Sequence, residues 1–425
     1  MWLRHNFGRG FGRPSWKWGA CLVGLALLLL AGPTLIARSP ILPWLVRRAV
    51  ADVPGHIRWK HVTLSWWKPI EVRDAELHDE TGQPILRVAR LWTDKTLLEL
   101  LCDRRELGTM HLDAPELHCV CRGASSNLEQ AFAPLVAARS EAAGRPAREL
   151  GVALQIEVSN GTIVFHDADT RVSETLTGIA LSARLGGARL AEAQAHGGIA
   201  SRGTGHWQLE LVIPSAEAGK ASVLTRDIPL ALLAPWARRI EPITRLEGTL
   251  TTRLELAWVR TPTGTWDLFL ESDTVVDRLL VAAPRLHAER IALNRLELPC
   301  RVRFRNDQVH IEEAHCCCDA GAATLRNWVW SSDLRQALIH PGYQATMDVD
   351  LARLSALAPE LFHLRPGTQL TDGRLTVDVR SRGAGGGPGG GGGVRVGGVP
   401  GGGGGQPVGW GVFWAGGFVP GRVVV

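Results

Sequence analysis

Apolar residues at every second position recur along most of this chain, and that period dictates the class of fold. Val152, Leu154, Ile156 and Val158 alternate with Ala153, Gln155 and Glu157, and Ile163 and Phe165 resume the pattern after Asn160-Gly161. Trp207, Leu209, Leu211 and Ile213 repeat it, as do Leu250, Leu254, Leu256 and Trp258, then Trp266, Leu268 and Leu270. Ala345, Met347, Val349 and Leu351 follow suit, and so do Leu375, Val377 and Val379. A strand sends successive side chains to opposite sides, so each run specifies a strand with one apolar and one wetter face, mostly in antiparallel pairing. Asn160-Gly161 reads as a hairpin turn between two such strands, because that dipeptide accepts the positive φ angles a tight turn requires.

Helical signals are few. Residues 127–143 form the clearest: Ser126 and Glu129 make a capping box, and Leu128, Ala131, Phe132, Leu135 and Val136 keep helical spacing until Gly144-Arg145-Pro146 stops it. Shorter turns are expected at Thr96–Leu101 and Leu230–Arg238. Ile41–Val53 has an apolar side and two arginines, as an interfacial helix or the first helix of the folded region would.

Gly19–Ala37 is an uncharged run of 19 residues. As a helix it would rise about 28 Å, close to the ~30 Å hydrocarbon core of a bilayer. Trp16 and Trp18 stand at its entrance, and the preceding tail carries Arg4, Arg9, Arg13 and Lys17 with no acid, a pattern that keeps a tail cytoplasmic. An uncleaved anchor with its N-terminus inside is the expectation. A cleaved signal peptide is the alternative, and Leu35-Ile36-Ala37 fits a cleavage site poorly.

The expected organisation is a basic tail (1–18), a transmembrane helix (19–37), a first β module (38–180), further antiparallel sheet (181–382) and a glycine-rich tail (383–425). That tail has 21 glycines and no acid, and reads as a disordered appendage or an out-of-frame segment. Sequencing the coding region for a frameshift separates the two. A formal net charge of +5, carried largely by the N-terminal tail, implies no nucleic-acid partner. Cysteines fall at 21, 102, 119, 121, 300, 316, 317 and 318, a spacing unlike a disulfide scaffold. One internal echo is visible: Leu230-Ala-Leu-Leu233, Pro235 and Gly248 return as Leu351-Ala-Arg-Leu354, Pro359 and Gly373.

The residues that could carry catalysis or bind metal form no complete motif. His310, Glu312, Glu313, His315 and Cys316–Cys318 cluster, yet lack His-Glu-x-x-His and the paired Cys-x-x-Cys of zinc sites. Cys119-x-Cys121 reads as buried small thiols. Asp79/Glu80 and Asp167/Asp169 flank turns, where acids bond the local backbone. No nucleophile elbow or phosphate loop is present. The expectation is a non-enzymatic chain with no cofactor and no metal.

Residues 56–132 carry a resemblance. Leu64-Ser-Trp66-Trp67-Lys-Pro69-Ile70-Glu-Val72-Arg-Asp74 leads to a turn at Asp79–Gly82 and the strand Ile85–Leu91. Leu97–Leu101, Leu107–Leu112, Pro115–Cys119 and Ser126–Glu129 follow. This succession resembles the N-terminal module of the AsmA/TamB-like envelope proteins, and Ile156–Ile163 with Asp167 is similar to that family's strand–Asn-Gly–strand unit. The resemblance implies a long, curved antiparallel sheet with an apolar concave side, held by an N-terminal anchor in the inner membrane with the bulk of the chain periplasmic. It implies phospholipid binding or conduction in outer-membrane biogenesis, with membrane phospholipids and other envelope proteins as partners. The residues expected to line the apolar face are Leu154, Ile156, Val158, Ile163, Phe165, Trp207, Leu209 and Leu211. A structural scaffold domain with a filled core is the alternative.

Overall fold

A computed structural model describes residues 15–49, 55–79, 81–123, 125–131, 133, 153–186, 189–200, 202–240, 245–283, 290–305, 308–330, 342–357, 372–380 and 394–398. Helices α1 (Ser15–Arg38) and α2 (Ile41–Ala49) come first. The strands are β1 (His56–Arg58), β2 (His61–Thr63), β3 (Pro69–His78), β4 (Pro84–Thr96), β5 (Glu106–Arg122), β6 (Ser125–Ser126), β7 (Ala153–Asp167), β8 (Val172–Gly186), β9 (Arg189–Ile199) and β10 (Arg202–Ser215). They continue as β11 (Ala218–Pro229), β12 (Arg245–Arg260), β13 (Trp266–Ala282), β14 (Arg290–Glu297), β15 (Cys300–Arg305), β16 (Gln308–Cys318), β17 (Gly321–Trp330), β18 (Gln344–Asp350), β19 (Arg374–Arg380) and β20 (Val394–Gly398). Short helices interrupt them: α3 (Leu97–Cys102), a 3₁₀ turn (Leu230–Leu233), α4 (Ala234–Ile240) and α5 (Leu351–Leu357).

The chain is mainly β, and the strands join one twenty-stranded sheet. Among the described strands every pairing is antiparallel except at one seam, where β5 and β7 run parallel; most join sequential strands, and β1–β3, β13–β15 and β14–β16 skip one. Parallel neighbours need a crossover, and residues 123–152 provide it, opening with β6 and a helix whose described part is 127–131 and 133. The Ser126–Glu129 capping box forms: Glu129 N–H donates to Ser126 Oγ at 3.2 Å and Ser126 N–H to Glu129 Oε2 at 3.0 Å. The rest of the helix expected to 143 lies outside the described residues. The turn expected at Thr96–Leu101 is α3, capped by Thr96 and Glu99. β8 runs through residue 180, so the sheet continues across the module boundary drawn from the sequence. Val394–Gly398, inside the glycine-rich tail, pairs with β19 instead of lying loose, and the rest of that tail is outside the described residues.

The Asn160-Gly161 hairpin is not formed. Both residues lie inside β7, where Asn160 has φ +55° and makes a bulge that reverses strand parity. The bulge is one of a line. Asp74 in β3, Ala114 in β5 and Gly178 in β8 also have positive φ, and the pairings place Asp74, Ala114 and Asn160 level across the sheet. Asp227 in β11, Gly248 in β12 and Arg278 in β13 continue the line further along. Bulges sharpen local twist, so this line is a crease dividing the sheet into two bands. At Gly248 only glycine fits: a Cβ would stand 2.9 Å from the carbonyl oxygens of Asp277 and Arg278.

Below the crease, one face is closed. Cys119, Cys121, Phe165, Ile199 and Ile228 pack with Leu232 of the 3₁₀ turn, against Leu128, Ile163, Leu176, Trp207 and Leu250. Trp236 of α4 stacks on Phe165 with ring centres 5.9 Å apart. Each such large side chain contributes about 1.5–3 kcal/mol by burial. The echo noted in the sequence is a shared design: the 3₁₀ turn with α4 joins β11 to β12, and α5 joins β18 to β19, each replacing a hairpin turn by a helix. Leu351 opens α5 and does not extend β18.

α1 is a 24-residue helix that includes Gly19–Ala37 without a break. Among the described residues no helix is long and apolar enough to cross a membrane; the side chains of much of α1 are outside that set.

Candidate functional site: a two-faced sheet

Directly opposed residues in neighbouring strands share a face, so the pairings trace rows of side chains across the sheet. One row runs Val62, Val72, Leu91, Leu112, Val158, Leu181, Ala195, Leu209, Val223, Leu254, Ser272, Cys300, Ala314, Leu325, Ala345, Val379. Fifteen of the sixteen are apolar, with Ser272 the exception. At ~4.8 Å between strands the row is about 70 Å long. A second row on the same face runs Met110, Ile156, Ala183, Ala193, Leu211, Ala221, Leu256, Leu270, Val302, Ile311. In the first row every residue but Ala195 keeps part of its surface open to solvent.

The other face is its chemical inverse. Glu71, Trp92, His111, Glu157, Ser182, Gln194, Glu210, Ser222, Glu255, Glu271, Arg301, Glu313, Arg326, Gln344 and Arg380 oppose one another in order, and Trp92 alone is apolar. Cross-strand ion pairs lace this face, among them Arg90–Glu71 at 2.8 Å, Arg301–Glu271 at 2.8 Å, Arg303–Asp267 at 2.6 Å and Arg326–Glu313 at 2.8 Å. Hydrogen bonding to Arg303 lowers the Asp267 carboxyl below its ordinary value, and that to Arg73 does the same for Glu71. Being exposed, such pairs fix register more than they stabilise.

All eight residues singled out in the sequence fall on the apolar face. Leu154, Ile156, Val158, Leu209 and Leu211 lie above the crease, half-buried. Phe165 belongs to the closed core, at 4% exposure, and Ile163 and Trp207 pack against it. Helix contacts with the sheet are made by α1 at β2, α3 at β4, the 3₁₀ turn at β11 and β12, and α5 at β14, β18 and β19. Sequence reasoning missed Leu181, Val223, Val302 and Ile311, whose strands alternate but whose partners only the register reveals.

A latch fixes the closed band. Asp167, fully buried, accepts from Arg238 Nη2 at 2.5 Å and from Thr170 Oγ1 at 2.5 Å, and the Asp169 N–H donates to it at 3.1 Å. Burial raises the Asp167 pKa, and these donors, Arg238 foremost, outweigh it and leave the carboxyl below its ordinary value. Arg239 grips Glu129 of the crossover helix with both carboxylate oxygens at 2.7 and 2.8 Å. Asp167 and Asp169, read from the sequence as local turn acids, thus tie β7 to α4.

On the polar face Trp92 stacks on His111 at 5.0 Å, Arg90 lies 4.7 Å from the Trp92 ring centre, and His111 Nδ1 meets Glu157 at 3.1 Å. His315 Nδ1 lies 2.8 Å from Thr324 Oγ1, and Cys316 and Cys318 point to the apolar face while His310 opposes Arg303. Among the described residues no three His, Cys, Asp or Glu side chains converge as metal ligands. Burial pushes the Cys119 thiol up, and burial together with the adjacent Cys119 pushes Cys121 up to about 12. These are inert thiols. Comparison with family models and with curated proteins yields no match to this chain.

Proposed function

We propose that this is a membrane-anchored, non-enzymatic protein that binds the acyl chains of phospholipids along the apolar face of its sheet, in the service of cell-envelope biogenesis. The observation that carries the reading is the sixteen-strand apolar row. Exposed apolar surface costs about 25 cal/mol per Å², and patches beyond a few hundred Å² mark interaction sites. Acyl chains suit such a surface: they need no hydrogen-bond partner, and a row that is apolar at fifteen of sixteen positions holds them without fixing them in one place. The charged opposite face keeps the other side wet. Resemblance to the AsmA/TamB-like envelope proteins supports the same reading. In this reading α1, a 24-residue helix, is the anchor and the sheet lies on the periplasmic side of the inner membrane; the basic tail before α1 supports that orientation.

Photo-crosslinking tests this with the full chain in its native membrane. A benzophenone side chain in place of Val158 or Leu209 is expected to yield phospholipid adducts by mass spectrometry, and one at Glu210 is expected to yield none. Equal yields from both faces, or protein adducts alone, would sink the reading. The second reading, a scaffold with a filled core, draws on the helix-capped band around Phe165; protein adducts at Leu209 would favour it.

A further inference from the structure

The exposed large apolar side chains of the sheet are not scattered. Among the described residues, apart from α1 and α2, there are twelve: Trp67, Leu98, Leu101, Val212, Leu224, Leu233, Trp236, Val259, Trp266, Leu298, Phe304 and Trp330. The pairings place eight of them on a single margin. β5 and β7 both start there, β4, β8, β10, β12, β15 and β17 end there, and β9, β11, β13 and β16 start there. Trp67 precedes β3, Leu98 and Leu101 sit on α3, Val212 is near the end of β10, and Val259 and Trp266 flank the β12–β13 turn. Phe304 and Trp330 close β15 and β17. The opposite margin, where the buried Asp167–Arg238 latch lies, keeps only Leu233 and Trp236 of the twelve.

This margin spans thirteen strands, about 58 Å. On the polar face of this margin, Val212 and Val259 open onto a hollow of ≈550 Å³ that includes Ala257 and Phe269 beside Lys220, Asp267 and Arg303. Lys68, Arg104, Arg105, Lys220, Arg260 and Arg305 are exposed along it, with Asp103, Glu106 and Glu217 among them, and Arg260 lies 6.0 Å from the Trp266 ring centre. Tryptophan beside arginine and lysine is the composition of a membrane–water boundary, where the ring is half in and the cation meets phosphate. The margin is also continuous with the N-terminal helices. α1 packs against β2, which leads into the Trp67 loop, and α2 exposes Ile41, Trp44 and Leu45 beside Arg47 and Arg48.

We infer that this margin is a membrane-contact rim, resting along the headgroup boundary of the bilayer in which α1 is anchored. The inference rests on the anchor reading only for bringing the rim to a bilayer. It adds an orientation: the sheet stands edge-on along the membrane, so the apolar face opens directly onto the acyl layer, and lipid tails enter it sideways all along the rim.

Collision accessibility of nitroxide labels tests it, on the full chain reconstituted in phosphatidylcholine–phosphatidylglycerol vesicles. Cys102 is the exposed native thiol of the described residues and lies on the rim beside Leu101. It takes one label directly. In a Cys102→Ser background, Val259→Cys and Trp330→Cys supply two more rim sites, Leu233→Cys the opposite margin, and Leu27→Cys the anchor. The expected result is a several-fold higher oxygen-to-nickel-chelate collision ratio at Cys102, Val259→Cys and Trp330→Cys than at Leu233→Cys. Equal ratios at both margins overturn the rim. So does shielding of the rim sites from both reagents, which would mean protein covers them. A high ratio at Leu27→Cys with a low one along the rim removes the rim and leaves the anchor standing.

Discussion

Arg238 and Asp167 meet at 2.5 Å although 71 residues separate them, and Asp167 is completely buried. Removing one partner of a buried pair leaves an uncompensated charge, which costs about 3–5 kcal/mol. Asp167→Ala should therefore lower the denaturant midpoint strongly, because it frees α4 from β7 and uncovers Phe165. Urea unfolding followed by tryptophan fluorescence checks this, and Trp236, stacked on Phe165, is a local reporter.

The same carboxyl gives the acid limb of stability. Its folded pKa lies below the ordinary value of 3.8, so the stability it adds is complete above that value and is lost as pH falls through the lower, folded pKa. Glu129, held by Arg239, is shifted the same way. Stability should fall as pH drops below about 4. In Asp167→Asn the fall should be shallower, since the unfolded state no longer takes up that proton. Thermal melts between pH 3 and pH 7 in both proteins measure the difference, and parallel curves would count against the latch.

The thiols should separate by kinetics. A Cys121 pKa of about 12 leaves almost no thiolate at pH 8, and the side chain is buried at 2% exposure. Cys102 is exposed. Iodoacetamide with peptide mass spectrometry should show Cys102 modified first, and Cys119 and Cys121 only after denaturant is added. Early modification of Cys121 would mean that the closed band opens readily.

The two faces predict opposite mutational outcomes. Leu209 is half-buried on the apolar row and Glu210 is exposed on the polar row. A charge at Leu209 repels acyl chains while costing the fold less than one in the closed core, because Leu209 keeps part of its surface open to solvent. Leu209→Glu should thus lose most phospholipid adducts at Val158 while circular dichroism stays unchanged, and Glu210→Gln should keep them.

Alternation made the strands legible, because a sheet open on one side leaves a period-two trace in its sequence. The cap at Ser126 and the helical turn at Thr96–Leu101 were equally legible, as short-range chemistry, while the Thr96–Glu99 box was overlooked. Three features were not. The Arg238–Asp167 latch joins residues with no sequence relation. The parallel β5–β7 seam depends on how a crossover is routed. The crease was hidden by an ambiguity of parity: Leu154, Ile156 and Val158 are even-numbered, Ile163 and Phe165 odd. A two-residue hairpin at Asn160-Gly161 pairs 158 with 163 on one face, and a bulge at Asn160 also keeps both on one face. The pattern satisfies either, and the choice falls to the level bulges at Asp74 and Ala114, which the sequence does not announce.

Asn160 then offers a direct test of the crease. Its φ of +55° lies in the left-handed region, where asparagine is tolerated, glycine is at ease and β-branched residues are strained. Asn160→Gly should leave stability within about 1 kcal/mol, since relief of strain offsets the added chain entropy. Asn160→Val should cost about 1–3 kcal/mol, as a β-branched residue must adopt the strained backbone or remove the bulge. Removing it would turn either Val158 or Ile163 to the polar face, so the cost extends to the apolar rows on both sides. Urea titration of the two variants decides. If valine proves as stable as glycine, β7 has another geometry at this point and the crease does not pass through it.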